Sequence, residues 1–394
     1  MTSARHGYSF LLVLLCGLSS TNIAAAIPGL EPEKAWDFDG YVTAMHTLSE
    51  QKQRQRQQDN MIHHRLNVEY RSEVNWRFNL GMRNRLLWGD SFDTPDFAKQ
   101  FNVDGGYFDL TTNWIEDDNR VLNSQLDRLN ITWHQEDWQA RAGRFRINWA
   151  MATLWNPNDW FNAYSIYDFD YQERAGSDAV MLSKKLGFAS GVEGVFSPAK
   201  KSELDRYAVR YLGNNRGWDW QVLIGKTGLD HALGAGFAGD VKGAGFRGEI
   251  SHFSPTRDEW QGVSMTESTV ATLEVDYSLG GRRNWVTRTA LLYISHPMAV
   301  QTQQTTLPLT ARTLSFTRWT AYADLGFDLN PLSRVTTSVT YYDDGSYYVG
   351  LNGHYSLSEN WTSSVVLQHF DGDDDSAFGQ TANTSVHFQI KWSY

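Results

Sequence analysis

The sequence predicts an all-β fold: a transmembrane antiparallel β-barrel of about 18 strands, with 16 as the alternative count. Three observations carry this. Residues 385–394 alternate without a break: Val386, Phe388, Ile390, Trp392 and Tyr394 are apolar, and Ser385, His387, Gln389, Lys391 and Ser393 are polar. Such a period of two puts one row of side chains on each face of a strand. No run of 18 apolar residues follows the N-terminal segment, which excludes helical spans. Short polar turns alternate with long, variable segments, as in a barrel whose two rims differ.

The elements follow in chain order. Arg5 and His6, the apolar stretch Phe10 to Cys16 and the triplet Ala24-Ala25-Ala26 form a signal peptide over residues 1–26. Its apolar part is shorter than the ~20 residues a membrane helix needs. Cys16 is the only cysteine and leaves with it, so the remaining chain has no disulfide, thiolate metal site or Cys nucleophile. Residues 27–394 are read as one barrel domain. About ten residues precede its first strand, too few for a globular plug.

Within the barrel, Ile62, Leu66, Val68 and Tyr70 alternate with His63, Arg65, Asn67, Glu69 and Arg71. Val74, Trp76, Phe78, Leu80 and Met82 alternate with Asn75, Arg77, Asn79, Gly81 and Arg83. Near the other end, Trp319, Ala321, Ala323, Leu325 and Phe327 alternate with Arg318, Thr320, Tyr322, Asp324 and Gly326. Turn chemistry recurs at 71–73, 135–137, 185–187, 213–217, 239–243, 280–284, 330–333 and 358–360. Between these turns lie the longer segments 47–61, 89–120, 147–176, 198–204, 254–266, 295–315 and 372–383. The count that results is 18, which is even and leaves both termini on the short-turn side. A further strand at Tyr107–Trp114 would make the total odd, so that stretch is assigned to a loop.

Composition agrees. Hydrophobic residues are only 41%, yet there are 16 Trp and 18 Tyr. A barrel with an apolar outside, a polar inside and aromatic belts at the interfaces accounts for both. A net charge of -10 argues against nucleic acid as a partner.

Two constellations point to function. In the phase that puts Trp76 and Leu80 on lipid, Arg65, Arg71, Arg77, Arg83 and Arg85 face the lumen, with Arg128 and Arg141 on the next strands. Like charges on adjoining strands repel, so folding alone does not favour such a wall. Guanidinium groups along a pore concentrate anions. The alternative is that these arginines pair with Glu69, Glu73 and loop carboxylates to brace the wall. The second constellation is the segment 147–176, dense in rings: Trp149, Trp155, Trp160, Phe161, Tyr164, Tyr167, Phe169 and Tyr171. An exposed loop has no reason to hold so many. The expectation is a constriction loop folded into the lumen, turning at Asn156-Pro157-Asn158-Asp159. Its acids, Asp159, Asp168 and Asp170, would stand opposite the basic wall, and its rings, Trp160 among them, suit sugar faces. The alternative is that it closes or stiffens the barrel mouth and touches no solute.

The stretch Gly143-Arg144…Trp149 followed by Asn156-Pro157-Asn158-Asp159 resembles a pattern in Gram-negative outer-membrane barrels of the porin-like and alginate-export-like type, although Ala150 stands where that pattern has Gly. Residues 385–394 resemble the closing strand that the barrel-assembly machinery recognises. The resemblance implies a channel or export barrel in the outer membrane, with short periplasmic turns and long extracellular loops. Its partners would be outer-membrane lipid, the assembly machinery and a small polar solute.

Enzyme signals are poor. His134, His252, His354, His369 and His387 fall on different strands without a Ser-centred motif. His63 and His64 are adjacent in a strand and point to opposite faces. No catalytic residue, metal site or cofactor is assigned. The expected function is a channel for diffusion or export of small polar solutes, anionic or carbohydrate. The alternative is a barrel without an open pore, serving as scaffold or sleeve for a partner protein or an exported polymer complex.

Overall fold

A computed structural model describes residues 34–394 except 53, 94–97, 118, 172 and 299–308. The signal peptide assigned to residues 1–26 lies outside the described residues. Eighteen strands form the wall: β1 (Trp36–Gln51), β2 (Gln57–Arg71), β3 (Trp76–Gly89), β4 (Arg120–Gln135), β5 (Trp138–Phe145), β6 (Ser177–Gly187), β7 (Ser190–Ser197), β8 (Arg206–Asn215) and β9 (Trp218–Thr227). The wall continues through β10 (Asp230–Val241), β11 (Ala244–Pro255), β12 (Ser268–Gly280), β13 (Trp285–Ile294), β14 (Trp319–Asn330), β15 (Ser333–Tyr342), β16 (Ser346–Ser356), β17 (Trp361–Gly372) and β18 (Asn383–Ser393). Each pairs antiparallel with the next, and β18 returns to β1 from Tyr41↔Ser393 to Gln51↔Asn383. The sheet therefore closes and leaves no free edge.

The alternation seen in the closing strand is realised. Phe388, Ile390 and Trp392 are exposed on the outside, while His387, Gln389 and Lys391 turn inward. Paired rings mark the short-turn rim, such as Trp36 on Tyr70 (4.6 Å), Trp285 on Phe327 (4.3 Å) and Trp361 on Trp392 (6.3 Å). These form the amphipathic belt a bilayer interface favours. The tightest turns carry the required residues. Arg216-Gly217 and Lys242-Gly243 both have positive φ at both positions, the geometry of type I′ hairpins.

Two details differ from expectation. The loop placed at 47–61 shrinks to the few residues between β1 and β2. The stretch near Tyr107–Trp114 does contain a strand, Thr111–Asp117, but it adds nothing to the barrel count. It pairs with β4 from Thr111↔Gln125 to Asp117↔Arg120. It occupies the part of that edge that the short β5 does not reach, since β5 pairs with β4 only up to Leu129↔Arg144.

Candidate solute pathway

The chain leaves the wall at the end of β5. Gly143 has φ +114, and a Cβ there would lie 2.2 Å from the Leu129 carbonyl oxygen. Only glycine fits such an exit. From Arg146 to Gly176, residue 172 apart, the loop packs against lumen-facing residues of the strands.

Its outward limb is held by carboxylates that sit in mid-strand and face the lumen. The Trp149 indole N–H donates to Glu193 on β7 (2.7 Å), and Gln221 on β9 donates to the Trp149 carbonyl (2.7 Å). Glu249 on β11 accepts from the backbone N–H groups of Met151, Ala152 (2.8 Å) and Asn158 (3.0 Å). Glu274 on β12 accepts from the N–H of Thr153 (2.9 Å) and Leu154 (3.1 Å) and from the Thr153 hydroxyl (2.7 Å). An apolar cluster of Phe145, Ile147, Trp149, Leu154, Trp160 and Phe161 packs on lumenal residues such as Leu223, Phe253, Val270 and Leu292. Gly234 and Gly236 on β10 make room: a Cβ on either would come within 3.0 Å of Asn158.

The return limb crosses to the opposite strands. Tyr167 packs on Tyr348 (4.5 Å) and Phe370 (5.2 Å), and Phe169 on His387 (4.7 Å). Asp170 then meets Arg83 (3.3 Å), Tyr171 donates to Asp127, and Glu173 accepts from Tyr41 (3.0 Å). The loop is thus stitched to strands around the barrel, a ring rather than a flap.

The arginine wall divides in two. Arg65 is 2% exposed and pairs with Asp127 at 2.5 Å. Arg83 takes Asp170 and also lies 4.0 Å over the Tyr171 ring. Asp127 reaches both Arg65 and Tyr171 because β4 carries a bulge opposite Gly81/Met82, which leaves Asp127 unpaired in the ladder. Arg71, at the short-turn rim, pairs with Glu69 (2.5 Å) and Asp37 (3.5 Å). Three others engage neutral groups. Arg85 donates to Asn123 (2.9 Å) and Arg141 to Asn130 (2.9 Å), and Arg141 lies 4.5 Å over the Phe145 ring. Arg128 donates to the carbonyls of Asp127 (2.7 Å) and Arg174 (2.8 Å), and Arg77 is exposed near the short-turn rim. Among the described residues, Arg77, Arg85, Arg128 and Arg141 have no carboxylate partner.

The loop residues sit differently from the expectation. Asp159 (1% exposed) and Trp160 (3% exposed) are buried under the loop and do not face the lumen. Asp159 accepts from the Asn162 N–H (2.9 Å), and the Trp160 indole donates to Ser251 (3.0 Å). Both anchor the turn. Burial pushes the Asp159 carboxyl up to about 6. The other acids lie on the arginine side and not across from it: Asp170 touches Arg83, and Asp168 pairs with Arg174 at 3.3 Å. In a low-dielectric lumen an ion pair at contact outweighs a field across the gap. Asp127, Arg144, Glu249 and Glu274 are site residues that the sequence patterns above do not mark. An acid in the inward phase near the middle of a strand, as in Gly248-Glu249-Ile250 and Leu273-Glu274-Val275, is the signal that marks the last two.

Asp168 and Asp170 form a titrating pair. Burial, then the hydrogen bond and charge of Asp170, push Asp168 up to about 7, although its side chain remains 38% open. Against its own burial, the hydrogen bond from Asp168 and the Arg83 charge hold Asp170 low. A carboxyl raised in the folded state stabilises it when protonated. That contribution is present below the ordinary carboxylate range and is lost as pH rises through about 7. The return limb is therefore expected to be steadier at pH 5 than at pH 8, read as lower open-channel current noise at pH 5. Asp168→Asn should remove the difference, and a variant that keeps it in full refutes the assignment.

Closed sheet, lipid-facing belt and inward ring together define a class: a Gram-negative outer-membrane β-barrel of porin architecture. The chain superimposes on the outer membrane protein OprD from Pseudomonas aeruginosa with a TM-score of 0.61, at 8% identity, over 91% of this chain and 93% of that one. Against Acinetobacter baumannii OccAB1 the TM-score is 0.60, at 8% identity, over 91% and 96%. Against Pseudomonas aeruginosa OccK5 (OpdH) it is 0.59, at 8% identity, over 91% and 98%. No family model and no curated protein matches the sequence. At such identity the likeness speaks for the fold alone. The porin side of the resemblance read from the sequence agrees with it, and the alginate-export side rests on residues 143–159 only.

Proposed function

We propose that the chain is an outer-membrane channel for passage of small polar solutes, with anions favoured over cations. After export by the signal peptide at 1–26, residues 385–394 would present it to the barrel-assembly machinery. The observation that carries the channel reading is the divided arginine wall. Arg65, Arg71 and Arg83 are in contact with carboxylates, whereas Arg85, Arg128 and Arg141 inside the barrel and Arg77 at the short-turn rim have none in contact among the described residues. A wall of one sign with low-dielectric surroundings enriches counter-ions roughly tenfold or more.

Reversal potentials in planar bilayers under a KCl gradient test this. Chloride should pass in preference to potassium, and an Arg77→Glu/Arg141→Glu double variant should shift the permeability ratio roughly tenfold towards potassium. A cation-selective wild type overturns the anion preference. The packing of the outward limb across β6–β13 favours a second reading, a sleeve without an open pore. Absence of any conductance would select it.

A further inference from the structure

On the periplasmic half of the lumen, β15–β18 enclose a cavity of about 470 Å3 beneath Phe169 of the ring. Its lining is neutral and polar in the main. Thr336, Asn352 and Thr362 make no side-chain hydrogen bond among the described residues, and Asn352 and His354 are exposed within the lumen. Ser364 donates to Oε1 of Gln389 at 2.8 Å, which leaves the Gln389 amide N–H groups unengaged. One aromatic face, Phe169, closes the top, fixed by its contact with His387.

Two cations border the cavity, and both are already engaged. Arg334 donates to Asp328 at 2.7 Å, and the Lys391 ammonium lies 4.0 Å over the Tyr41 ring. The cavity is therefore not organised around a free pair of charges. It offers a row of side chains that both donate and accept, facing one ring. A saturated ring bearing hydroxyls presents the matching surfaces: an edge that donates and accepts, and a C–H face that packs on an aromatic.

We propose that this cavity is a binding station for a neutral polyol of monosaccharide size. Phe169 takes its C–H face, and Thr336, Asn352, Thr362 and Gln389 take its hydroxyl edge. The station rests on the channel reading, since a solute reaches it through the lumen.

The test uses the full-length protein in planar bilayers. KCl conductance is recorded first, then D-glucose and, separately, gluconate are titrated on both sides. Glucose should block the current saturably. Phe169→Ala and Asn352→Ala should each raise the half-blocking concentration about tenfold, the loss of one good contact, and Ser183→Ala, on the far wall, should not. Current without glucose block overturns the station and leaves the channel reading standing. Block by gluconate alone, or block unchanged in both variants, also overturns it. No current in the wild type overturns the channel reading, and the station with it.

Discussion

Replacing Arg144 with methionine is expected to destabilise the barrel by about 3–5 kcal/mol, the cost of leaving a buried charge without its partner. The residue is 3% exposed and sits where β5 stops and the wall would otherwise open. All five of its N–H groups are used. Nε and Nη2 grip Asp178 on β6 (both 2.8 Å), and Nη1 reaches Asp104 (2.7 Å) and the Leu126 carbonyl (3.2 Å). Nη2 also donates to the Phe108 carbonyl (2.7 Å). One guanidinium thereby joins β4, β5, β6 and the loop after β3. Asp104 and Asp178 are 2% and 3% exposed, so methionine would strand two buried carboxylates. Lysine keeps the charge but not the planar fork, and should be intermediate. Denaturant titration of the detergent-folded barrel, followed by its heat-modifiable gel mobility, reads the change. The triple variant R144M/D104N/D178N should recover part of the loss. If R144M unfolds within about 1 kcal/mol of the wild type, the clamp is not structural.

How much of this was legible beforehand depended on how local the signal was. The closing strand, the short turns and the count of 18 follow from period-two alternation and turn chemistry, which neighbouring residues encode. Alternation fades where a strand climbs past the bilayer and both faces turn polar. That is why Thr47-Leu48-Ser49-Glu50-Gln51 and Gln57-Gln58-Asp59-Asn60 carry no strand signature although they extend β1 and β2. For the strand at Thr111–Asp117 the sequence offers only a parity argument, and its place follows from the early end of β5. In the candidate site, alternation gave the face of each arginine but not its partner. Arg65 looks like Arg141 in the sequence. What separates them is Asp127, 62 residues from Arg65 and turned inward by a bulge. The aromatic density of 147–176 marks a loop that needs a surface to pack on. Which of its residues would face the wall was decided by Glu249 and Glu274, about a hundred residues away, and no local pattern holds that information.

Those two carboxylates give the second large prediction. The Glu249→Ala/Glu274→Ala double variant is expected to release the ring while leaving the barrel folded. Glu249 accepts three backbone N–H groups of the outward limb. Glu274 accepts two more and the Thr153 hydroxyl. A net gain of about 1.5–3 kcal/mol applies to a hydrogen bond with a charged acceptor. Even at the lower end, losing six such bonds exceeds the ~5.5 kcal/mol that turns a 99:1 equilibrium into 1:99. The apolar contacts of Trp149, Leu154 and Phe161 oppose release, so each single variant should leave the loop mostly docked. The sheet ladders do not depend on either carboxylate, and gel mobility of the folded form should persist. Single-channel conductance should therefore rise sharply in the double variant and little in the singles. That non-additive pattern separates a ring held at two points from a general loosening of the barrel, which would raise conductance in proportion to each substitution and lower the unfolding midpoint as well. An unchanged conductance in the double variant would mean that the aromatic packing alone holds the ring in place.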